Sequence, residues 1–140
     1  MQLSKHFTEA EFLYSETATI RGIKNDWSLD KHKQNAIKLC EEVLEPLRLK
    51  YGALRITSGY RTRQLNKAVK GAVNSKHLTG ESADIYPLDP NVSLQEMFEY
   101  LNGIHNGGLA IKRGQFIHAQ LKICFCSIDW LFEYLIFLVV

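Results

Sequence analysis

Between Ser28 and Gly52 a single apolar stripe dominates the chain: Ile37, Cys40, Val43, Leu44, Leu47 and Tyr51 return at three- and four-residue spacing. That period places them on one face of a helix, and such a face must be covered by another layer. Ser28 is placed to cap this helix, Gly52 to stop it, and Pro46 to kink or divide it near its last turns. The covering layer comes from segments of period two. Leu54, Ile56 and Ser58 alternate with Arg55 and Thr57 as a short strand ending at Gly59, and Ser82 to Tyr86 reads as another. Leu109 to Lys112 and Gln115 to Lys122 read as a hairpin around an Arg113-Gly114 turn, with Phe116, His118 and Gln120 sharing one face.

Shorter signals complete the order. Thr8 and Glu11 have capping-box spacing before Ala10, Phe12 and Leu13, which predicts a first helix lying as a lid on the core. Arg63 to Lys70 reads as a turn or two of helix, broken by a loop from Gly71 to Lys76. Ser93 caps a helix through Leu101, and Gly103, Gly107 and Gly108 open the connection to the hairpin. The result is an α+β fold, a small antiparallel sheet flanked by N-terminal helices.

With 140 residues, 46% of them hydrophobic, the chain can bury one core, and no repeat or linker divides it. Residues 1–122 read as one domain and 123–140 as an atypical apolar C-terminal segment. Trp130 to Val140 is interrupted by Glu133, follows Asp129, and falls short of the roughly 20 apolar residues of a span, so a buried strand or terminal helix is expected and no stable membrane span. Seventeen basic against fifteen acidic residues give a net charge of +2, which supplies no basic stripe and argues against nucleic acid as a partner. Three cysteines are too few for a disulfide framework, and Cys124-x-Cys126 reads as packing. His6, His32 and His105 read as surface residues. Glu9, Glu11 and Glu16 stand where a signal peptide would be apolar, so cytoplasmic synthesis without a signal peptide is expected, as a monomer.

The densest polar constellation is Ser75 to Asp84, SKHLTGESAD, where His77 and Asp84 flank Gly80, a residue that lets the chain turn back. Imidazole and carboxylate are zinc donors, and His118 on the last strand is the natural third, leaving one tetrahedral position open. Spacing alone leaves another reading standing, in which these are packed or surface residues.

Four segments occur in order: SGYRT at Ser58 to Thr62, LNKAV at Leu65 to Val69, SKHLTGESADI at Ser75 to Ile85 and FIH at Phe116 to His118. This series resembles the zinc D-alanyl-D-alanine carboxypeptidase family, in its compact phage and prophage peptidoglycan peptidase branch, from about Leu3 to His118. The resemblance implies that fold, Zn²⁺ as cofactor, His77, Asp84 and His118 as its ligands, and a peptidoglycan stem-peptide or cross-link amide as substrate. It also implies that Arg61 lies near the substrate, where a permanently charged fork of donors suits the developing oxyanion; Ser75 reads as a substrate contact or as the cap of its turn. Tyr60 and Tyr86 flank these motifs, and Tyr60 is expected to line the cleft.

The chain departs from that family at the base. Many relatives carry an acid three positions before the last His, and some two positions after it; here these are Gln115 and Gln120. An amide cannot accept the proton. Glu81, Asp89, Asp129 and Glu133 are the substitutes to consider, and truncation or a changed reading frame would account for the tail. The alternative is therefore a catalytically impaired zinc-binding, wall-binding or phage structural module. An active enzyme would reach the wall after release or within a phage particle.

Overall fold

The computed structural model describes residues 1–103 and 108–121. Near the N-terminus, Thr8 Oγ1 accepts the Glu11 N–H at 3.3 Å and the Glu11 carboxylate accepts the Thr8 N–H at 2.7 Å, so the expected capping box is formed. It starts α1 (Glu9–Leu13), which leaves Ala10 exposed and drives Phe12 into the core. The helix therefore plugs the core through one side chain. Thr8→Ala is expected to cost about 1 kcal/mol, seen as a lower urea midpoint with an unchanged slope. A second helix, α2 (Glu16–Arg21), lacks an apolar stripe and is defined by its ends: Ser15 Oγ caps the Ala18 N–H, and Gly22 closes it at φ +63°.

The long apolar stripe folds as three pieces: α3 (Asp30–Leu39), a π-helical turn (Cys40–Leu44) and α4 (Glu45–Tyr51). In a regular helix the Pro46 ring would crowd the carbonyl four residues back. The widened turn lies just upstream, where the Glu45 N–H reaches five residues back to the Cys40 carbonyl. The expected irregularity is thus absorbed before the proline. Ser28 does not cap α3. Leu29 holds the cap position without a side-chain bond, because Ser28 Oγ is engaged by the Tyr60 hydroxyl at 2.9 Å.

Four antiparallel strands, β1 (Leu54–Ser58), β2 (Ser82–Pro87), β3 (Gly108–Arg113) and β4 (Phe116–Leu121), lie in the order β1-β2-β4-β3. The hairpin turn sits one residue later than expected. Arg113 pairs with Phe116, so Gly114 and Gln115 form the turn and Gly114 takes φ +56°. Gln115 consequently leaves the strand for the exposed turn.

Leu54, Ile56, Ala83, Ile85, Ile117 and Ala119 form the sheet's apolar side and pack with Leu39, Val43, Leu44 and Leu47 of the helical stripe. Met97 and Leu101 of α6 (Leu94–Gly103), capped by Ser93, close the core. Because strand side chains alternate, Ser82, Asp84, His118 and Gln120 are sent to the opposite face. Two short elements border that face: α5 (Arg63–Ala68), capped by Thr62, and a 3₁₀ turn (Lys76–Thr79) where a loop was expected. No helix among the described residues is long and apolar enough to cross a membrane. The readings at His105, Gly107, Lys122, Cys124, Cys126, Asp129, Glu133 and Trp130 to Val140 lie outside the described residues.

Candidate metal centre

Strand register creates the first half of the site. Asp84 and His118 are cross-strand partners, with His118 Nδ1 at 2.8 Å from Asp84 Oδ1. The second half needs the chain to fold back after His77, and Gly80 allows it. This glycine has φ +75°, and a Cβ there would overlap the His32 carbonyl oxygen. His77 Nε2 thereby comes within 3.4 Å of the same Asp84 oxygen, and the two imidazole rings meet edge-on at 5.1 Å. His77 and Asp84 are 3% and 7% exposed, and the His118 side chain is the most open of the three.

The donor set fits zinc. The Gly59 carbonyl lies 2.7 Å from His77 Nδ1 and can only accept, so Nδ1 carries a proton and Nε2 is the nitrogen left to face Asp84 and to ligate a metal. Zinc bonds of roughly 2.0–2.1 Å imply a tetrahedral edge of about 3.4 Å, which matches the separation of His77 Nε2 and Asp84 Oδ1. One donor atom from each of the three residues lies within 4.8 Å of the others, and no further His, Cys, Asp or Glu joins them among the described residues. Two imidazoles and a carboxylate leave one tetrahedral position for water or substrate.

Burial alone would raise the Asp84 carboxyl, but hydrogen bonds and charge from His118 and His77 outweigh it and hold the group well below the usual carboxylate range. Arg61 adds positive charge, its guanidinium 3.8 Å from Asp84 Oδ2. Burial pulls that guanidinium below its usual range, while Asp84 acts in the opposite sense.

A bulge aims Arg61. Simple alternation would leave Ser58 on the core face with Ile56, yet Ile56 pairs with Ile85 and Ser58 with Asp84, so β1 has one extra residue at Thr57. Ser58 is turned to the polar face, where its Oγ accepts Arg61 Nε at 3.0 Å. Asn66 Oδ1 accepts Arg61 Nη1 at 3.3 Å, and Asn66 Nδ2 donates to the Ala72 carbonyl. The residues LNKAV thus contribute Asn66 as a brace for Arg61, a role the sequence reading did not assign.

The remaining expected site residues divide. Ser75 Oγ accepts the His77 N–H and so caps the 3₁₀ turn, while Ser75 also lines a groove of about 730 Å³ with His32, Arg63 and Val73. Arg61 and Ser58 line a second groove of about 250 Å³. Tyr60, expected to line the cleft, lines both grooves although only 2% exposed; its hydroxyl donates to Ser28 Oγ and lies 3.1 Å from His32 Nδ1. Glu81 pairs with Lys76 at 3.1 Å. Gln115 stands in the β3–β4 turn, whereas Gln120 Oε1 lies 3.2 Å from His118 Nε2.

Two further roles escaped the sequence reading. Gly59 supplies the carbonyl that orients His77, and a Cβ on it would fall 2.6 Å from the Phe12 carbonyl oxygen. Asn25 latches the turn after β1 by donating to the Leu13 and Tyr60 carbonyls and accepting the Thr62 N–H. Gly59 was legible as part of SGYRT; Asn25 carried no local signal.

No curated protein and no solved structure matched the chain significantly. The family model described as Peptidase M15 matches residues 5–120, a range that holds His77, Asp84, His118 and Arg61 together with every element from α1 to the strand bearing the last histidine. The chain therefore belongs to the Peptidase M15 family of zinc-dependent peptidases.

Proposed function

We propose that the protein is a zinc-dependent peptidase that hydrolyses an amide in the stem peptides or cross-links of bacterial peptidoglycan, as a D-alanyl-D-alanine carboxypeptidase or endopeptidase. The observation that carries this reading is the convergence of His77, Asp84 and His118 in a chain of the Peptidase M15 family. These three residues would hold Zn²⁺. Bound there, the ion supplies Lewis-acid polarisation of the scissile carbonyl and makes water a competent nucleophile near neutral pH.

The chain's own residues divide the other tasks. Arg61, braced by Ser58 and Asn66, offers a fixed positive fork to the oxyanion that develops on the carbonyl. Ser75, which lines the larger of the two grooves, anchors the peptide. The stem-peptide substrate is supported by the resemblance of SGYRT and SKHLTGESADI to wall peptidases. A chain made in the cytoplasm would meet that substrate after release or as part of a phage particle.

A second reading is favoured by one observation: the two positions where relatives carry an acid hold Gln115 and Gln120, and neither amide can take a proton. A module that keeps zinc and binds wall peptide without turnover would show this pattern, and loss of a general base costs about 10²–10⁴-fold. Digestion of purified peptidoglycan and synthetic stem peptides by zinc-loaded protein, read by mass spectrometry with His118→Ala as control, separates the two. Amide-cleavage products that vanish in the control are expected. Stoichiometric zinc without product would transfer the assignment to the binding module.

A further inference from the structure

We infer that Gln120 is a positioning residue whose side-chain oxygen fixes the tautomer of His118, so that Nδ1 is the nitrogen offered to the metal. The inference rests on the zinc reading of His77, Asp84 and His118. His118 has two ring nitrogens and the structure gives each its own neighbour: Nδ1 lies 2.8 Å from Asp84 Oδ1, and Nε2 lies 3.2 Å from Gln120 Oε1. Both neighbours are acceptors, and a ring nitrogen that ligates a metal carries no proton; with Nδ1 given to an ion beside Asp84, the ring's proton would be on Nε2, where Gln120 Oε1 accepts it.

The strand makes this contact reproducible. Gln120 follows His118 by two residues and shares its face, so a side chain of glutamine length reaches back along β4 to the far edge of the ring. The two histidines are thus tied through opposite nitrogens, His77 through Nδ1 to the Gly59 carbonyl and His118 through Nε2 to Gln120. An amide does this without placing a second negative charge next to Asp84. Gln120 on this account acts as an acceptor for His118 and not as a proton carrier.

The test uses the full chain. Zinc affinity is measured by chelator competition, and the visible spectrum of the Co²⁺-loaded protein is recorded, for the wild type, Gln120→Leu and Gln120→Glu. Gln120→Leu, which keeps bulk but has no acceptor, is expected to weaken zinc binding about 10–100-fold and to alter the Co²⁺ bands; Gln120→Glu is expected to stay within a few-fold of wild type. Equal affinity and spectrum in Gln120→Leu, or equal losses in both variants, would overturn the inference. Should Gln120→Leu not fold, ¹⁵N shifts of the zinc-loaded wild type decide: a protonated Nε2 on His118 is expected, and a protonated Nδ1 overturns it. A wild type that binds no zinc removes the underlying reading as well, which the other outcomes leave standing.

Discussion

Asp84→Asn is expected to lower amide hydrolysis about 10³-fold or more, because Lewis-acid stabilisation is worth several kcal/mol and each 1.4 kcal/mol is a factor of ten. Zinc affinity should fall together with activity, beyond the 10–100-fold typical of outer-shell changes. Asparagine keeps the shape of the side chain and its place opposite His118, so the loss reports the carboxylate charge. Asp84 is the hub of the cluster, within 3.8 Å of His77, His118 and Arg61. The metal-free protein supplies a second readout. The folded Asp84 carboxyl binds its proton less readily than the unfolded one, so the unfolded chain holds more protons on this group and its contribution to stability rises with pH. That contribution is complete above about pH 4 and is lost as the pH falls through the lower folded value. Thermal midpoints measured from pH 7 downward should therefore fall less steeply in Asp84→Asn than in the wild type. A parallel pair of curves would deny the carboxylate its role.

Gly80→Ala is expected to be the most damaging glycine substitution among Gly52, Gly80 and Gly103, costing about 3 kcal/mol. Two penalties combine: a left-handed backbone costs an L-residue roughly 1–2 kcal/mol, and crowding against packed structure adds about 1–3 kcal/mol. Gly52 has φ +81° but open space around it, so Gly52→Ala should carry only the first penalty. Gly103 has neither, and Gly103→Ala should stay within about 0.5 kcal/mol. Urea titration of the three variants orders them. A Gly80→Ala midpoint no lower than that of Gly52→Ala would show that the His32 main chain yields to the added methyl.

The sequence disclosed the elements whose signals are local. Alternation located β1 and β2, and Ile37 to Tyr51 announced the long helical stripe, because burial of one face is written directly in the period. It did not disclose features that depend on a distant partner. Ser28 looked like a cap until Tyr60, 32 residues away, claimed its hydroxyl. Ser58 looked core-facing until pairing with Asp84 placed a bulge at Thr57. For α2, Ser15 and Gly22 were the available signals, but the segment between them has no apolar stripe to attract notice. His77, Asp84 and His118 were individually visible, whereas their convergence depends on strand register and on Gly80.

The contact between Phe12 and Gly59 extends the centre well beyond its donor atoms. Tyr60 N–H donates to the Phe12 carbonyl at 2.8 Å, Gly59 presses on the Phe12 main chain, and the Gly59 carbonyl holds His77 Nδ1. The first helix contributes no ligand, yet it is the shim that sets the height of the turn on which His77 is hung. Grafting this candidate metal centre onto another scaffold would therefore fail if only the histidines and the aspartate were carried across: the aim of His77 is only as accurate as the seating of Phe12.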